Sequence, residues 1–379
     1  MTVYLRTIAT ALPDTVLEQN AARDVFASQP GLSRLGERLV RTSFDSSGIE
    51  TRRSVIDDFD LGADRGAPVF YDRSSGELLS PGTRIRNELY IDRAGQLFVE
   101  AARRALDTSD GIESSDITHV VTVSCTGFYA PGPDYQIVRE LGLPPGTHRY
   151  HVGFMGCYAS FPALRAALAF CRADPEAVVL VVSVELCTIH VRSSNDPDQI
   201  VAASVFGDGA AAALVSARED IRWPALRIDG LASGLTPVGE HDMAWTIGDF
   251  GFEMILSASV PKIIDTYIEG AIAPVLAAEP ELARDPARRI RHWAIHPGGR
   301  SILDKVEARL GLDESQLVPS RDILRSFGNM SSATILFVLE RILASPAAEA
   351  EERVLAMAFG PGLTVETGLF TKVADGRSA

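Results

Sequence analysis

The 379-residue sequence has only four cysteines, no excess of positive charge and no apolar run long enough to cross a bilayer. Cys125, Cys157, Cys171 and Cys187 form no CxxC pair and show no zinc-ligand spacing, which argues against a disulfide scaffold and against a structural metal. Free thiols in a reducing compartment are the expectation. A net charge of −14 speaks against nucleic acid as the main partner, because a phosphate backbone is held by clustered lysines and arginines. The most apolar segment, "AVVLVVSVELCTIHV", is short and broken by Glu185. The N-terminus, "MTVYLRTIATALPDTVLEQN", lacks a long apolar core and meets Asp14 and Glu18 early, so it does not read as a signal peptide. A cytoplasmic protein without a membrane span is expected.

What is present is ordinary for a globular enzyme: 46% hydrophobic and 23% charged residues. The length exceeds one average domain and accommodates two similar halves around a shared core. The first hundred residues contain helix-like segments such as "AGQLFVEAARRALDTS" and a Gly/Pro/Ser-rich connector, "RSSGELLSPGTR". A β/α alternation follows. "THVVTVSCT" reads as a strand, "DYQIVRELGL" as a helix, "RYHVGFMGC" as a strand, "ASFPALRAALAFCRA" as a helix and "EAVVLVVSVEL" as a strand. "SVFGDGAAAALVS" reads as a further strand with a tight Gly-Asp-Gly turn, and the whole predicts a mostly parallel core. A second alternation starts near Ile221, with "RIRHWAIH" as a strand, "GGRSILDKVEARLGL" and "SSATILFVLERILA" as helices, and "ERVLAMAFGPGLTVETGLF" as two strands joined by Gly-Pro-Gly. An internally duplicated, layered α/β architecture with halves 1–220 and 221–379 is predicted.

Three residues carry the chemistry. Cys157, in "HVGFMGCYAS", ends a strand-like run and precedes a helix, where the macrodipole favours a thiolate; a small buried hydrophobe is the other reading of the same residues. His296, in "HWAIHPGG", closes a strand before a glycine turn and is either a satisfied structural histidine or a side chain at the rim of a cleft. Asn329, in "SFGNMSSAT", stands before an apolar helix as a cap or as a donor.

The blocks "GCYAS", "SVFGDGAAA", "AIHPGGRSILDKVE", "GNMSSATILFVLE" and "AFGPGLTVET", in this order, resemble the type III polyketide synthases, chalcone-synthase-like members of the thiolase superfamily. The resemblance runs from about Thr118 to Phe370 and more weakly through the preceding residues. It implies a thiolase-like α-β-α-β-α fold from two duplicated halves and a catalytic triad of Cys157, His296 and Asn329. Thiolate Cys157, paired with imidazolium His296, would take an acyl group from coenzyme A. His296 and Asn329 would donate to the enolate formed when malonyl-CoA loses carbon dioxide. The same resemblance makes Phe206 a gatekeeper, puts Met254 or its strand neighbour Phe252 at a second gate, and assigns Ser331, beside Asn329, to the substrate pocket. It also sets Arg52 and Arg53, in "GIETRRSV", at coenzyme A phosphates.

Several pocket positions depart from the plant pattern. Cys125 and Thr126 stand where that family has small hydroxyl residues, Cys187 and His190 where it has threonines, and Trp245 where it has glycine. These changes point away from an aromatic starter, and the blocks "CTGFYAPGPDYQIVRELGL" and "GFMGCYASFPAL" resemble the bacterial branch that uses aliphatic acyl starters and makes alkylpyrones or alkylresorcinols. The small Ala130 leaves room for a chain near the dimer interface, whereas Trp245 fills space. The expected partners are acyl-CoA, malonyl-CoA and a second copy of the chain, with no metal or redox cofactor. Rival readings are an initiating β-ketoacyl synthase III fed by an acyl carrier protein and, with less support, a cysteine hydrolase.

Overall fold

The computed structural model describes residues 1–60, 67–109, 111–219, 224–345 and 351–373; the predicted boundary at 220/221 lies outside them. Nine strands form one sheet. In spatial order they are His292–Ile295, Arg353–Gly360, Thr364–Val373, Ala225–Leu235, Tyr4–Ala11, Asp208–Ser216, Val178–Leu186, His119–Ser124 and His148–Gly153. The duplication lies in the strand directions. Outward from Tyr4–Ala11 the next three pairings run antiparallel, antiparallel, parallel. Outward from Ala225–Leu235 the same series repeats. The two halves meet at a narrow seam, where Tyr4 pairs with Arg227 and Leu5 with Leu226.

Helices make the other layers. Thr83–Thr108 covers the outer face of the first half, and Val260–Leu276 covers that of the second. Between the halves lie Ser160–Ala173 and Thr334–Leu343, each packed on strands of both. Their apolar positions explain this placement. Phe161, Leu164 and Leu168 of one and Ile335, Leu336, Val338 and Leu339 of the other join a single buried cluster. Pro162 falls in the first turn of its helix, where no backbone donor is needed. With helices on both sides, Val178–Leu186 and Asp208–Ser216 are buried at every position, which is why they read as unbroken apolar runs. Among the described residues no helix is long and apolar enough to cross a membrane.

Two expectations change. The sheet is not mostly parallel: three of its pairings are parallel and five antiparallel. Residues 187–207 return the chain to the end of the sheet it has just left, and the Gly-Pro-Gly link closes a hairpin, so both connections reverse direction. The Gly-Asp-Gly segment is also no turn. Helix Pro197–Val205 ends before it, and Asp208 and Gly209 already belong to the strand. Gly209 is small because Met330 packs on it: a Cβ there would lie 2.4 Å from the Met330 sulfur.

Candidate active site

Cys157 and Asn329, 172 positions apart in sequence, converge because each directly precedes one of the two central helices. The Asn329 carboxamide lies 4.0 Å from Cys157 Sγ. Its orientation is set: Oδ1 accepts the Ser331 backbone N–H at 2.8 Å, which leaves Nδ2 to face Cys157 and the Gly298 carbonyl, 3.4 Å away. His296 extends strand His292–Ile295, its own N–H bonded to Met357 at 2.8 Å. Its ring lies over Gly298, with Nε2 3.7 Å from where a Cβ would stand, and so reaches the same place as Asn329. Both ring nitrogens are buried without a hydrogen-bond partner. Buried nitrogens left unmatched cost stability, and a bound oxygen would satisfy them.

The backbone around the thiol is tightly specified. Phe154 (φ 59°) and Ser331 (φ 47°) adopt left-handed conformations that side-chain-bearing residues rarely take, each at a cost of about 1–3 kcal/mol. Gly156 has φ 81°, and a Cβ there would lie 2.6 Å from Pro361 of the Gly-Pro-Gly link. That link therefore packs directly against the turn carrying Cys157.

Burial dominates the electrostatics. It pushes the Cys157 thiol up to about 11, partly offset by the Ser331 hydroxyl, and it pushes His296 down to about 3. Each group by itself is held neutral. The surroundings thus disfavour both charges of the thiolate–imidazolium pair anticipated from the sequence. The neighbouring Cys125 and Cys187 thiols are pushed well above their usual value, again by burial.

A narrow cavity of about 20 Å³ opens on Cys157. Cys125, Thr126, Cys187, Phe206, Trp245, Met254 and Ser331, all singled out in the sequence, line it, together with Gly156, Met243 and Pro361, which were not. Phe206 is held beside Asn329 by backbone bonds, Gly207 N–H to Asn329 O at 3.0 Å and Asn329 N–H to Val205 O at 2.8 Å. Trp245 closes one side, its indole N–H donating to the Cys125 carbonyl at 2.7 Å. The choice between Phe252 and Met254 falls to Met254. Phe252 instead stacks on His190 at 4.1 Å and lies outside the cavity lining. His190 is structural: Nε2 donates to the Thr126 carbonyl at 2.7 Å, Nδ1 accepts the Phe252 N–H at 3.0 Å, and burial lowers it to about 3.

The phosphate contact expected of Arg52 is not what its position offers. Arg52 is buried, donating from Nε to Gln19 at 2.9 Å and from Nη1 to the carbonyls of Ala203 at 2.8 Å and Phe206 at 2.6 Å. Arg53 is half-buried and bonds the carbonyls of Pro13 and Asp14. The residue that sequence reasoning passed over is Glu185. Its wholly buried carboxyl accepts from Cys125 N–H at 3.0 Å, Thr126 Oγ1 at 2.9 Å, Ser124 Oγ at 3.3 Å and Ser332 Oγ, and burial raises its pKa. A lone carboxylate inside an apolar strand was the available signal.

A thiol at an apolar cavity, with a fixed amide donor 4.0 Å from it and an imidazole beside that amide at Gly298, on a doubly repeated sheet, defines a condensing acyltransferase of the thiolase-like class; Asn329 and His296 stand behind the cavity lining rather than in it. Comparison with known proteins narrows this. Residues 2–219 match the family described as "Chalcone and stilbene synthases, N-terminal domain", and residues 230–374 match its C-terminal counterpart. The chain belongs to the chalcone and stilbene synthase family, the type III polyketide synthases. It is 35% identical over 374 residues to "Alpha-pyrone synthesis polyketide synthase-like Pks18" of Mycobacterium tuberculosis, covering 96% of this chain and 89% of that one. It is 33% identical to a bisdemethoxycurcumin synthase of Oryza sativa subsp. japonica, over 80% of this chain and 76% of that one. Among solved structures, PKS-I of the brown alga Ectocarpus siliculosus superposes with a TM-score of 0.89 at 29% identity, covering 98% of this chain and 99% of that one. The C-terminal type III polyketide synthase domain of Steely1 from Dictyostelium does so with a TM-score of 0.89 at 27% identity, covering 99% and 100%.

Proposed function

We propose that the protein loads an aliphatic acyl group from coenzyme A onto Cys157, extends it with malonyl-CoA by decarboxylative Claisen condensation, and releases an alkylpyrone or alkylresorcinol. In the first step the Cys157 sulfur attacks the thioester carbonyl while His296 takes the thiol proton, which then leaves with coenzyme A. In the second, the carboxylate of malonyl-CoA departs as carbon dioxide and the electron pair of the broken bond passes into an enolate. Asn329 Nδ2–H and an N–H of His296 hold its oxygen, each such donor being worth about 3 kcal/mol of barrier. The enolate carbon then attacks the acyl thioester, the carbon–sulfur bond breaks, and the sulfur of Cys157 is restored for a further round.

The observation that carries this reading is the oriented Asn329 amide, whose Nδ2 lies 4.0 Å from Cys157 Sγ beside a histidine with both ring nitrogens unpartnered. An amide cannot take a proton at neutral pH, so this end suits the stabilisation of developing charge. The aliphatic starter is supported by the apolar lining, in which Met254, Met243 and Trp245 surround the thiol and no charged side chain intrudes. The similarity to a mycobacterial protein named for α-pyrone synthesis favours pyrone closure. The reaction as proposed requires no metal or redox cofactor. A homodimer is supported by the edge strand His148–Gly153, of which the first four residues are exposed.

The test is incubation of the purified protein with acyl-CoAs of graded length plus malonyl-CoA, with products identified by mass. Chain-extended pyrones or resorcinols are expected. No extended product from any starter refutes the proposal, and extension only when malonate arrives on an acyl carrier protein replaces it with the β-ketoacyl synthase reading.

A further inference from the structure

A second cavity, of about 600 Å³, lies beside the paired strands Thr15–Glu18 and Thr51–Ser54 and shares no lining residue with the Cys157 cavity. Val16, Leu17, Ala22, Val25, Phe26 and Phe59 supply much of its wall. Its one fully buried charge is Arg52, only 2% exposed; the other charged lining residues are the exposed Asp14 and Glu18 and the half-buried Asp60. Among the described residues the Arg52 guanidinium has no ion pair. Every acceptor it bonds is a neutral oxygen, the side chain of Gln19 and the carbonyls of Ala203 and Phe206, and its Nη2 bonds nothing. Asp208 attracts it from a distance, but that carboxylate is committed to Thr188 and to the Val55 N–H.

A buried cation without a contacting anion is costly, and a guanidinium with a free donor matches a carboxylate. The largely apolar space beside it falls within the roughly 300–1,000 Å³ typical of small-molecule pockets and has room for an alkyl chain. We propose that this cavity binds a long-chain carboxylate, with the head group on Arg52 Nη2 and the chain along Val16, Val25 and Phe26. The ligand is held noncovalently, so the site is independent of the condensation reaction. Because Nη1 of the same guanidinium holds the Phe206 carbonyl, an occupant would bear on the backbone of a residue lining the Cys157 cavity.

The experiment uses the full-length Cys157→Ala protein, so that acylation plays no part, and measures displacement of a fluorescent dansyl-undecanoate probe. Dodecanoate is expected to displace the probe, with dodecanol and dodecylammonium about tenfold weaker or worse, as loss of a charge-assisted hydrogen bond implies. Coenzyme A without an acyl chain should not displace it. Val25→Trp, which fills the cavity and leaves Arg52 intact, should weaken dodecanoate at least about tenfold, and Arg52→Gln should do the same if it folds. Cys187→Phe, which fills the other cavity, should leave binding unchanged. Equal binding of dodecanol, displacement by coenzyme A alone, insensitivity to Val25→Trp, or loss in Cys187→Phe would each overturn the proposal.

Discussion

Replacing Asn329 by alanine should separate the two half-reactions. The side chain makes two distinct contacts: Oδ1 accepts the Ser331 N–H at 2.8 Å, and Nδ2 faces Cys157. Nothing in acyl loading requires Nδ2, so the mass shift of the acyl-enzyme should appear at close to the wild-type rate. Decarboxylation, followed as carbon dioxide released from malonyl-CoA, should fall about 10²–10³-fold, the loss of one oxyanion donor. Stability should fall as well, by about 1–3 kcal/mol, because the buried Ser331 N–H loses its acceptor. Asn329→Asp keeps an acceptor for Ser331 while removing the donor. Its decarboxylation should therefore fall at least as far with a smaller loss of thermal stability. If either variant loads acyl groups normally and decarboxylates within about fivefold of wild type, Asn329 does not stabilise the enolate and the assignment fails.

In His296→Ala nothing takes the thiol proton, so Cys157 should behave as a buried thiol near 11. Its alkylation by iodoacetamide should climb about tenfold per pH unit from pH 7 to 9, and a plateau below pH 8 would show that something other than burial governs the thiol. His190 is held neutral, lowered from 6.5 to about 3, so its contribution to stability is complete above pH 6.5 and is lost as pH falls toward 3. His190→Gln should flatten the acid limb of the melting-temperature profile, by up to about 3 kcal/mol at pH 4, and parallel curves for the two proteins would contradict this. Gly156→Ala forces a side chain onto φ 81° and against Pro361. It should cost about 1–3 kcal/mol in chemical denaturation and slow acyl loading, and an unchanged loading rate would mean that the turn does not position the thiol. Trp245→Ala should shift the preferred acyl-CoA to a longer chain; an unaltered length profile would remove Trp245 from the determinants of chain length.

The elements themselves were largely legible, because strands buried on both faces write unbroken apolar runs and the helices write a 3.6-residue period. Strand direction was not. Whether Asp208–Ser216 runs parallel or antiparallel to Val178–Leu186 depends on the path of residues 187–207, which hydrophobic pattern does not encode. Cys157, His296 and Asn329 were legible only through their sequence blocks, since each alone fits a structural role. Arg52 misled because a basic pair beside Glu50 reads as exposed. Its burial is set by Gln19 and by helix Pro197–Val205, far away in sequence. Phe252 and Met254 share one face of a strand. Phe252 is taken up in stacking on His190, and Met254, paired opposite Trp245, is the one that reaches the cavity.

The placement of the two central helices has a consequence for dynamics. The segments bearing Cys157 and Asn329 lead directly into the helices enclosed by both halves of the sheet, so neither can loosen without exposing the main apolar cluster. Amide protons in these helices should therefore exchange only through global opening, while the peripheral hairpin Met243–Gly248/Gly251–Leu256 opens locally and more often. Cys157 and Asn329 would then belong to the last part of the molecule to melt, and Trp245 and Met254, in the cavity wall, to a part able to move.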